Sequence, residues 1–249
     1  MIPLKSQEDL KVLEKSGKIL SSVMNRLKAI VIPGVLTREI DLLAESLIIQ
    51  KGAMPAFKGY KGFPATVCTS VNEEIVHGIP GERALREGDI IGIDLGVNYG
   101  GYFTDAAVTL AVGKISPQVN ELVEVSQRAL DEAIKEAVAG NNLSDISSRI
   151  QSFVESKGFS VVRQFVGHGI GLSLHEEPEI PNFGIPHQGP VLKSGMVLAI
   201  EPMVNMGSWE AKILPNGWTA VTKDRFPSAH FEHTVAITKE GPRILTDYA

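Results

Sequence analysis

Two ten-residue stretches of this 249-residue chain follow one pattern, and each ends in an acid. They read Leu85-Arg-Glu-Gly-Asp-Ile-Ile-Gly-Ile-Asp94 and Leu192-Lys-Ser-Gly-Met-Val-Leu-Ala-Ile-Glu201. An acid that closes an apolar run is costly to bury unless it is paired, protonated or bound to a cation. Two such acids, 107 positions apart, suggest two half-domains that offer carboxylates to one shared centre.

Other residues extend that centre. Residues 90–97 and 102–112 read as strands, and Asn98-Tyr-Gly-Gly101 between them is a hairpin signal. With Tyr99 and Gly100 as the loop, Asp94 lies directly opposite Asp105. Two such carboxylates, about 5 Å apart at Cβ, repel each other unless a cation lies between them. A one-residue slip in register would instead send one Asp to solvent. His168 sits among three glycines in Gly167-His-Gly-Ile-Gly171, where backbone can approach closely and the imidazole is open. A lone histidine is usually a hydrogen-bonded core residue, but His175 follows at the edge of Glu176-Glu-Pro178. Glu232 heads the apolar stretch Phe231-Glu-His-Thr-Val-Ala-Ile237, where an acid is ordinarily a solvated edge residue. Taken together, Asp94, Asp105, His168, Glu201 and Glu232 supply four carboxylates and one imidazole, enough to neutralise two divalent cations. Such an oxygen-rich set suits Mn or Fe, with Co, Zn and Ni able to compete, and has no thiolate ligand. Two metals about 3.5–4 Å apart can activate water and stabilise a tetrahedral oxyanion.

The rest of the chain must position these groups. Length allows one large domain or two small ones, with ample core. No linker separates the halves: Gly113-Lys-Ile-Ser-Pro117 reads as a short turn. We therefore expect one domain over residues 1–249, with pseudosymmetric halves of about 1–115 and 116–249. Each half reads helix, helix, strands. Helices are expected near 6–30 and 117–138, each followed by a second helix. Thr37 and Ser144 are the expected N-caps of the second helices, and Lys51-Gly52 and Lys157-Gly158 their ends. Segment 176–190, rich in Pro, Gly and Glu, reads as a surface loop. The layering is α+β, an antiparallel sheet covered by helices on one side.

Net charge is −5 and no Lys/Arg run stands out, which argues against specific nucleic-acid binding. One cysteine, Cys68, excludes an internal disulfide and fits a reducing compartment. Met1-Ile-Pro-Leu-Lys5 lacks a basic region followed by an apolar one, and no apolar run is long enough to span a membrane. A cytoplasmic setting is expected.

The order of strings resembles the type I methionine aminopeptidases, metallopeptidases of the pita-bread fold. The carriers are Asn72-Glu-Glu-Ile-Val-His77-Gly-Ile-Pro80, Ile93-Asp94 with Thr104-Asp105, and Gly167-His168-Gly with His175-Glu-Glu-Pro178. Ile200-Glu201-Pro-Met203 and Phe231-Glu232-His233-Thr234 complete the series, and the resemblance runs nearly end to end. It implies removal of N-terminal methionine ahead of a small second residue. It implies that Asp94 binds one metal, His168 and Glu201 the other, and that Asp105 and Glu232 bridge. Glu201 would also shuttle the proton, His175 would hydrogen-bond the scissile amide, and His77 would contact the next residue. The methionine pocket would be Tyr60, Phe63, Cys68, Leu174 and Trp218, with Phe57 near its rim. Substrates would be methionyl peptides and nascent chains, met by a monomer in transient contact with the ribosome.

Three departures bear on rate and selectivity. Leu174 stands where relatives often have a larger side chain, His230 where many have Gln, and Phe57 where bacterial relatives have a smaller residue. Two rival readings share the fold. A proline-directed aminopeptidase would ordinarily carry an extra N-terminal domain and more histidines at the site. A non-catalytic binding relative would have lost ligands that this chain retains.

Overall fold

The computed structural model describes residues 2–248. The first half contains α1 (Gln7–Lys28), α2 (Thr37–Gln50), β1 (Met54–Pro55), β2 (Val67–Val71), β3 (Glu74–Val76), β4 (Ile90–Tyr99) and β5 (Tyr102–Ala111). The second begins with α3 (Pro117–Glu136), α4 (Leu143–Ser156), β6 (Ser160–Val161), β7 (Gly167–Gly169), β8 (Glu176–Ile180) and β9 (Val197–Ile200). It ends with β10 (Met203–Asn205), β11 (Ala211–Ile213), β12 (Ala220–Thr222), β13 (Ser228–His230), β14 (His233–Thr238) and β15 (Gly241–Ile244). The named strand pairs are all antiparallel.

Helix α1 forms because Leu10, Leu13, Gly17, Leu20, Met24 and Leu27 recur on one face, all buried. Its start is fixed reciprocally: the Asp9 N–H donates to Ser6 Oγ and the Ser6 N–H to Asp9 Oδ2. The face packs on β4 and β5, where Ile91, Ile93, Leu95 and Val97 join Leu20, Val23, Met24 and Leu27 in the main core. Strand periodicity then turns Gly92, Asp94 and Gly96 to the other side of the sheet.

The sequence repeat is a repeat of hydrogen bonds. Gly88 N–H donates to Val112 O and Gly195 N–H to Ile237 O, and both glycines are left-handed, at φ 93° and 96°. Gly34 and Gly140 likewise bond Leu85 and Leu192. The second helices end as expected, with Gly52 and Gly158 at positive φ after Lys51 and Lys157.

Three local expectations need correction. Thr37 and Ser144 lie inside their helices; the caps are Leu36 and Asn142, whose N–H groups are taken by the carboxylates of Glu39 and Asp145. The two hydroxyls bond instead to Gly81 O and Gln188 O. Part of the supposed loop 176–190 is strand β8, at the sheet edge, where Pro178 interrupts little. The β4–β5 hairpin turns at Gly100-Gly101, with φ 61° and 84°, because a two-residue turn favours residues free to adopt positive φ. Asp94 therefore pairs with Ala107, and Asp105 with Gly96, so the two acids are diagonal neighbours rather than directly opposite. A shift of two residues preserves the face, so both still point the same way.

Candidate metal centre

Five adjacent chain segments bring the acids and the imidazole to one face. Cys68 of β2 pairs with Asp94 of β4, which pairs with Ala107 of β5. Ala107 in turn exchanges backbone bonds with Glu232: the Glu232 N–H donates to Ala107 O at 2.9 Å and the Ala107 N–H to Glu232 O at 3.4 Å. The Asp105 N–H donates to Thr234 Oγ1 at 2.9 Å, and that hydroxyl donates to Asp105 O at 2.8 Å. These bonds join the halves. Strand β14 then pairs with β9, Ile200 opposite His233, so one further step sets Glu201 against Glu232. Strand β9 pairs with β7, Ala199 opposite His168.

The glycines around His168 serve close approach. A Cβ at Gly167 would lie 2.4 Å from Ala199 O, and one at Gly169 would lie 2.2 Å from Glu177 O. Only glycine lets β7 sit this near its neighbours. His168 Nδ1 lies 2.9 Å from Gly169 O, which leaves Nε2 to face the acids.

Candidate ligand atoms of Asp105, His168 and Glu232 lie within 4.8 Å of one another. His168 Nε2 is 3.6 Å from Glu201 Oε1, and His230 Nε2 is 3.4 Å from Glu201 Oε2. Burial pushes the carboxyls of Asp94, Glu201 and Glu232 well up, and their mutual repulsion adds to it. Burial raises Asp105 to about 7. Burial likewise holds His168 down at about 4, neutral and able to ligate. Asp94 Oδ1, Asp105 Oδ1 and Glu232 Oε1 are buried without a hydrogen-bond partner. Four crowded acids with orphaned oxygens, beside a neutral imidazole, fit divalent cations and little else. Burial and the charges of Asp94 and Asp105 push the Cys68 thiol up, opposite Asp94 on the neighbouring strand.

Residues 11–239 match the profile of metallopeptidase family M24. The chain belongs to that family. This M24 chain is 52% identical to a methionine aminopeptidase of Clostridium perfringens, over 99% of both chains. Its fold superposes on the crystal structure of a Thermotoga maritima methionine aminopeptidase with a TM-score of 0.98, at 44% identity, over 99% of this chain and 100% of that one. It is also similar to a prolidase of Pyrococcus horikoshii, with TM-score 0.81 and 25% identity, but covers only 64% of that chain.

In the M24 chain the acids and His168 line a cavity of about 380 Å³. Phe57, Tyr60, Phe63, Cys68 and Trp218 line it, as do His77 and His175. Leu174 is not among its lining residues; it is buried behind, in the apolar cluster shared with Phe57, Phe63 and Cys68. His175 Nδ1 is 2.9 Å from the Tyr60 hydroxyl, and its ring lies 4.2 Å from that of His168, centroid to centroid. Burial, with His168 close by, holds His175 at about 3. His77 has a positive φ of 60° and stands edge-on to Phe165. Burial pushes it down too.

The sequence alone did not mark Lys61, Val76, Gln164, Phe165, Val166 and Met203 as lining residues. Phe165 and Met203 lie inside or beside the strings around His168 and Glu201, so adjacency was a usable signal. Val76 lies inside the string 72–80, Val166 beside the string around His168 and Lys61 next to Tyr60, whereas Gln164 gave no such signal. Among the described residues, no helix is long and apolar enough to cross a membrane.

Proposed function

We propose that this chain removes the N-terminal methionine from peptides and nascent proteins, preferring a small second residue. The observation that carries this reading is the convergence, on one cavity that Phe57, Tyr60, Phe63, Phe165 and Trp218 also line, of Asp94, Asp105, His168, Glu201 and Glu232. Those five would hold two divalent cations of the Fe, Mn, Co, Zn or Ni class. When bound, the cations supply Lewis-acid activation near neutral pH and an anchor for the substrate's free amine.

The chain's own groups do the rest. Glu201, whose carboxyl burial and Asp105 push up, accepts a proton from the attacking water and returns it to the leaving amine. His175 is neutral, and a Tyr60 hydroxyl donating to Nδ1 leaves Nε2–H to donate to the scissile carbonyl as negative charge develops there. His77 lies at the rim and orients the second residue. The aromatic rings and Cys68 accept the unbranched, polarizable methionine side chain. Leu174 shapes that pocket from behind. The two halves act as one catalytic domain over the whole chain, as a cytoplasmic monomer in transient contact with the ribosome.

The test is methionine release from Met-Xaa-Ser peptides under anaerobic Fe(II), Mn(II) and Co(II), with Xaa-Pro peptides alongside. We expect turnover with Ala, Ser or Gly at the second position and little with Leu or Lys. Release from none of them with any metal, or cleavage confined to Xaa-Pro, sinks the reading.

A further inference from the structure

Lys5 is a charged residue near the chain start, yet its side chain is only 2% exposed. Its Nζ lies 2.5 Å from Glu176 Oε2, and the Glu176 side chain is 9% exposed. The other oxygen of Glu176 accepts the Leu172 N–H at 2.7 Å and the Ser173 N–H at 3.1 Å. One carboxylate thus ties off the loop between β7 and β8. The Lys5 stem crosses that loop closely: a Cβ at Gly171 would lie 2.1 Å from Lys5 Cε. The backbone of Lys5 is itself anchored, its N–H donating to Gly195 O at 2.7 Å.

His175 immediately precedes Glu176, and its ring stacks on Tyr60 with centroids 5.2 Å apart, a contact that holds only if the backbone beneath it is held. Its side-chain hydrogen bond is to Tyr60 as well, across the cavity. What locates its backbone is the loop, and the loop is held by Glu176, by Lys5 and by the Phe103 N–H donating to Gly171 O at 2.7 Å. The strap is particular to the second half. At Gly195 a Cβ would meet Lys5 O at 2.9 Å, whereas at Gly88 the nearest atom is Lys114 O at 3.8 Å. A buried ammonium on a buried carboxylate is strongly located, because either partner alone would be an uncompensated charge.

We propose that Lys5 is a positioning residue for the reaction: its ammonium clamps Glu176, and through it the loop 171–176, so that His175 is held against the substrate. This rests on the methionine-aminopeptidase reading for the role of His175. Lys5 touches neither substrate nor ligand, so its influence runs through geometry, where small displacements cost rate.

Lys5→Met keeps the stem and deletes the charge. We expect kcat on Met-Ala-Ser to fall on the order of tenfold or more, with KM within about threefold and Mn(II) binding by calorimetry unchanged. In a His175→Ala background the same substitution should cost no further rate, since nothing is left to position. Lys5→Arg should recover part of the loss. Hydrogen exchange at the Leu172 and Ser173 amides should quicken in Lys5→Met. A kcat within about twofold of the parent overturns the proposal, as does an equal loss in both backgrounds, which would mark a general structural role. If the parent itself releases no methionine, the functional reading fails, and unchanged exchange at Leu172 and Ser173 then overturns the clamp separately. Should Lys5→Met not fold, Glu176→Gln, which retains an acceptor for the two amides, carries the same comparisons under the same criteria.

Discussion

Glu201 has His168 at 3.6 Å and His230 at 3.4 Å, and burial together with Asp105 makes its charge expensive. A side chain kept in such a place must serve something outside the apo fold. Glu201→Ala should lower turnover of Met-Ala-Ser peptides by at least about 10²-fold, since the proposed ligand and the proposed proton carrier go together. The folded state should persist, and the metal-free variant should melt above the metal-free parent because one of four crowded acids is gone. Circular dichroism melts and metal-buffered kinetics decide both; near-normal turnover would remove Glu201 from the site. His175→Ala should keep its metal by calorimetry yet lose rate on the order of 10²-fold. The sign of the pH effect follows from the same residues. Asp105 titrates at about 7 when folded and near 4 when unfolded, so between these values the folded state holds the extra proton. Metal-free stability should therefore fall as pH rises from about 5 to 7. With saturating metal the slope should flatten or reverse, because cations and protons compete for the same oxygens. Equal slopes with and without metal would contradict it. At this scale the chain was highly legible, since acids ending apolar runs stand out in a string of letters. Gln164 did not stand out, because nothing local marks a residue brought to a cavity by the fold.

Elements were legible in kind and less so in detail. The β4–β5 hairpin is written in its glycines, but which two residues turn is a competition between Tyr99-Gly100 and Gly100-Gly101. The doubly left-handed turn favours the pair with no Cβ at either place. Strand β8 was hidden because its Glu and Pro content is that of a loop; only its edge position makes that composition tolerable. The N-caps were displaced by one or two residues because Glu39 and Asp145 reach back to Leu36 and Asn142, leaving the hydroxyls free for other loops. One element argument yields a prediction. Strand β7 owes its depth to Gly167 and Gly169, each of which faces a carbonyl oxygen at a distance no Cβ tolerates. Gly169→Ala should destabilise by about 1–3 kcal/mol. It should also weaken metal binding several-fold by displacing His168. Urea denaturation read beside calorimetric titration checks the pair. A variant that loses stability with unchanged affinity would separate His168 from the close approach of its strand.

At the scale of the molecule the proposed ligand set is divided: Asp94 and Asp105 come from the first half, and His168, Glu201 and Glu232 from the second. The seam between halves at this point is carried by the paired bonds of Ala107 with Glu232, of Asp105 with Thr234 and of Thr109 with His230. Elsewhere α1 crosses to the C-terminal segment so closely that a Cβ at Gly17 would lie 1.9 Å from Leu245 O. Cations held by groups from both halves act as a cross-link that the unfolded chain lacks. Ligand present at about 1,000 times its Kd stabilises by about 4 kcal/mol. For a chain of this size each kcal/mol moves the midpoint by about 2–4 °C. Chelation should therefore lower the melting midpoint by about 10 °C while leaving a single transition, because the protein bonds across the seam remain. Thr234→Val should strip the Asp105 N–H and carbonyl of their shared partner and cost about 1–3 kcal/mol with or without metal. If calorimetry showed no midpoint shift on chelation, the five groups would not be sharing cations across the seam, however well they are placed to do so. If chelation instead split the melt into two transitions, the halves would be held together by the metal more than by the strand bonds described above. The continuous run of neighbours from β2 through β4, β5, β14 and β9 to β7 argues for the single, shifted transition.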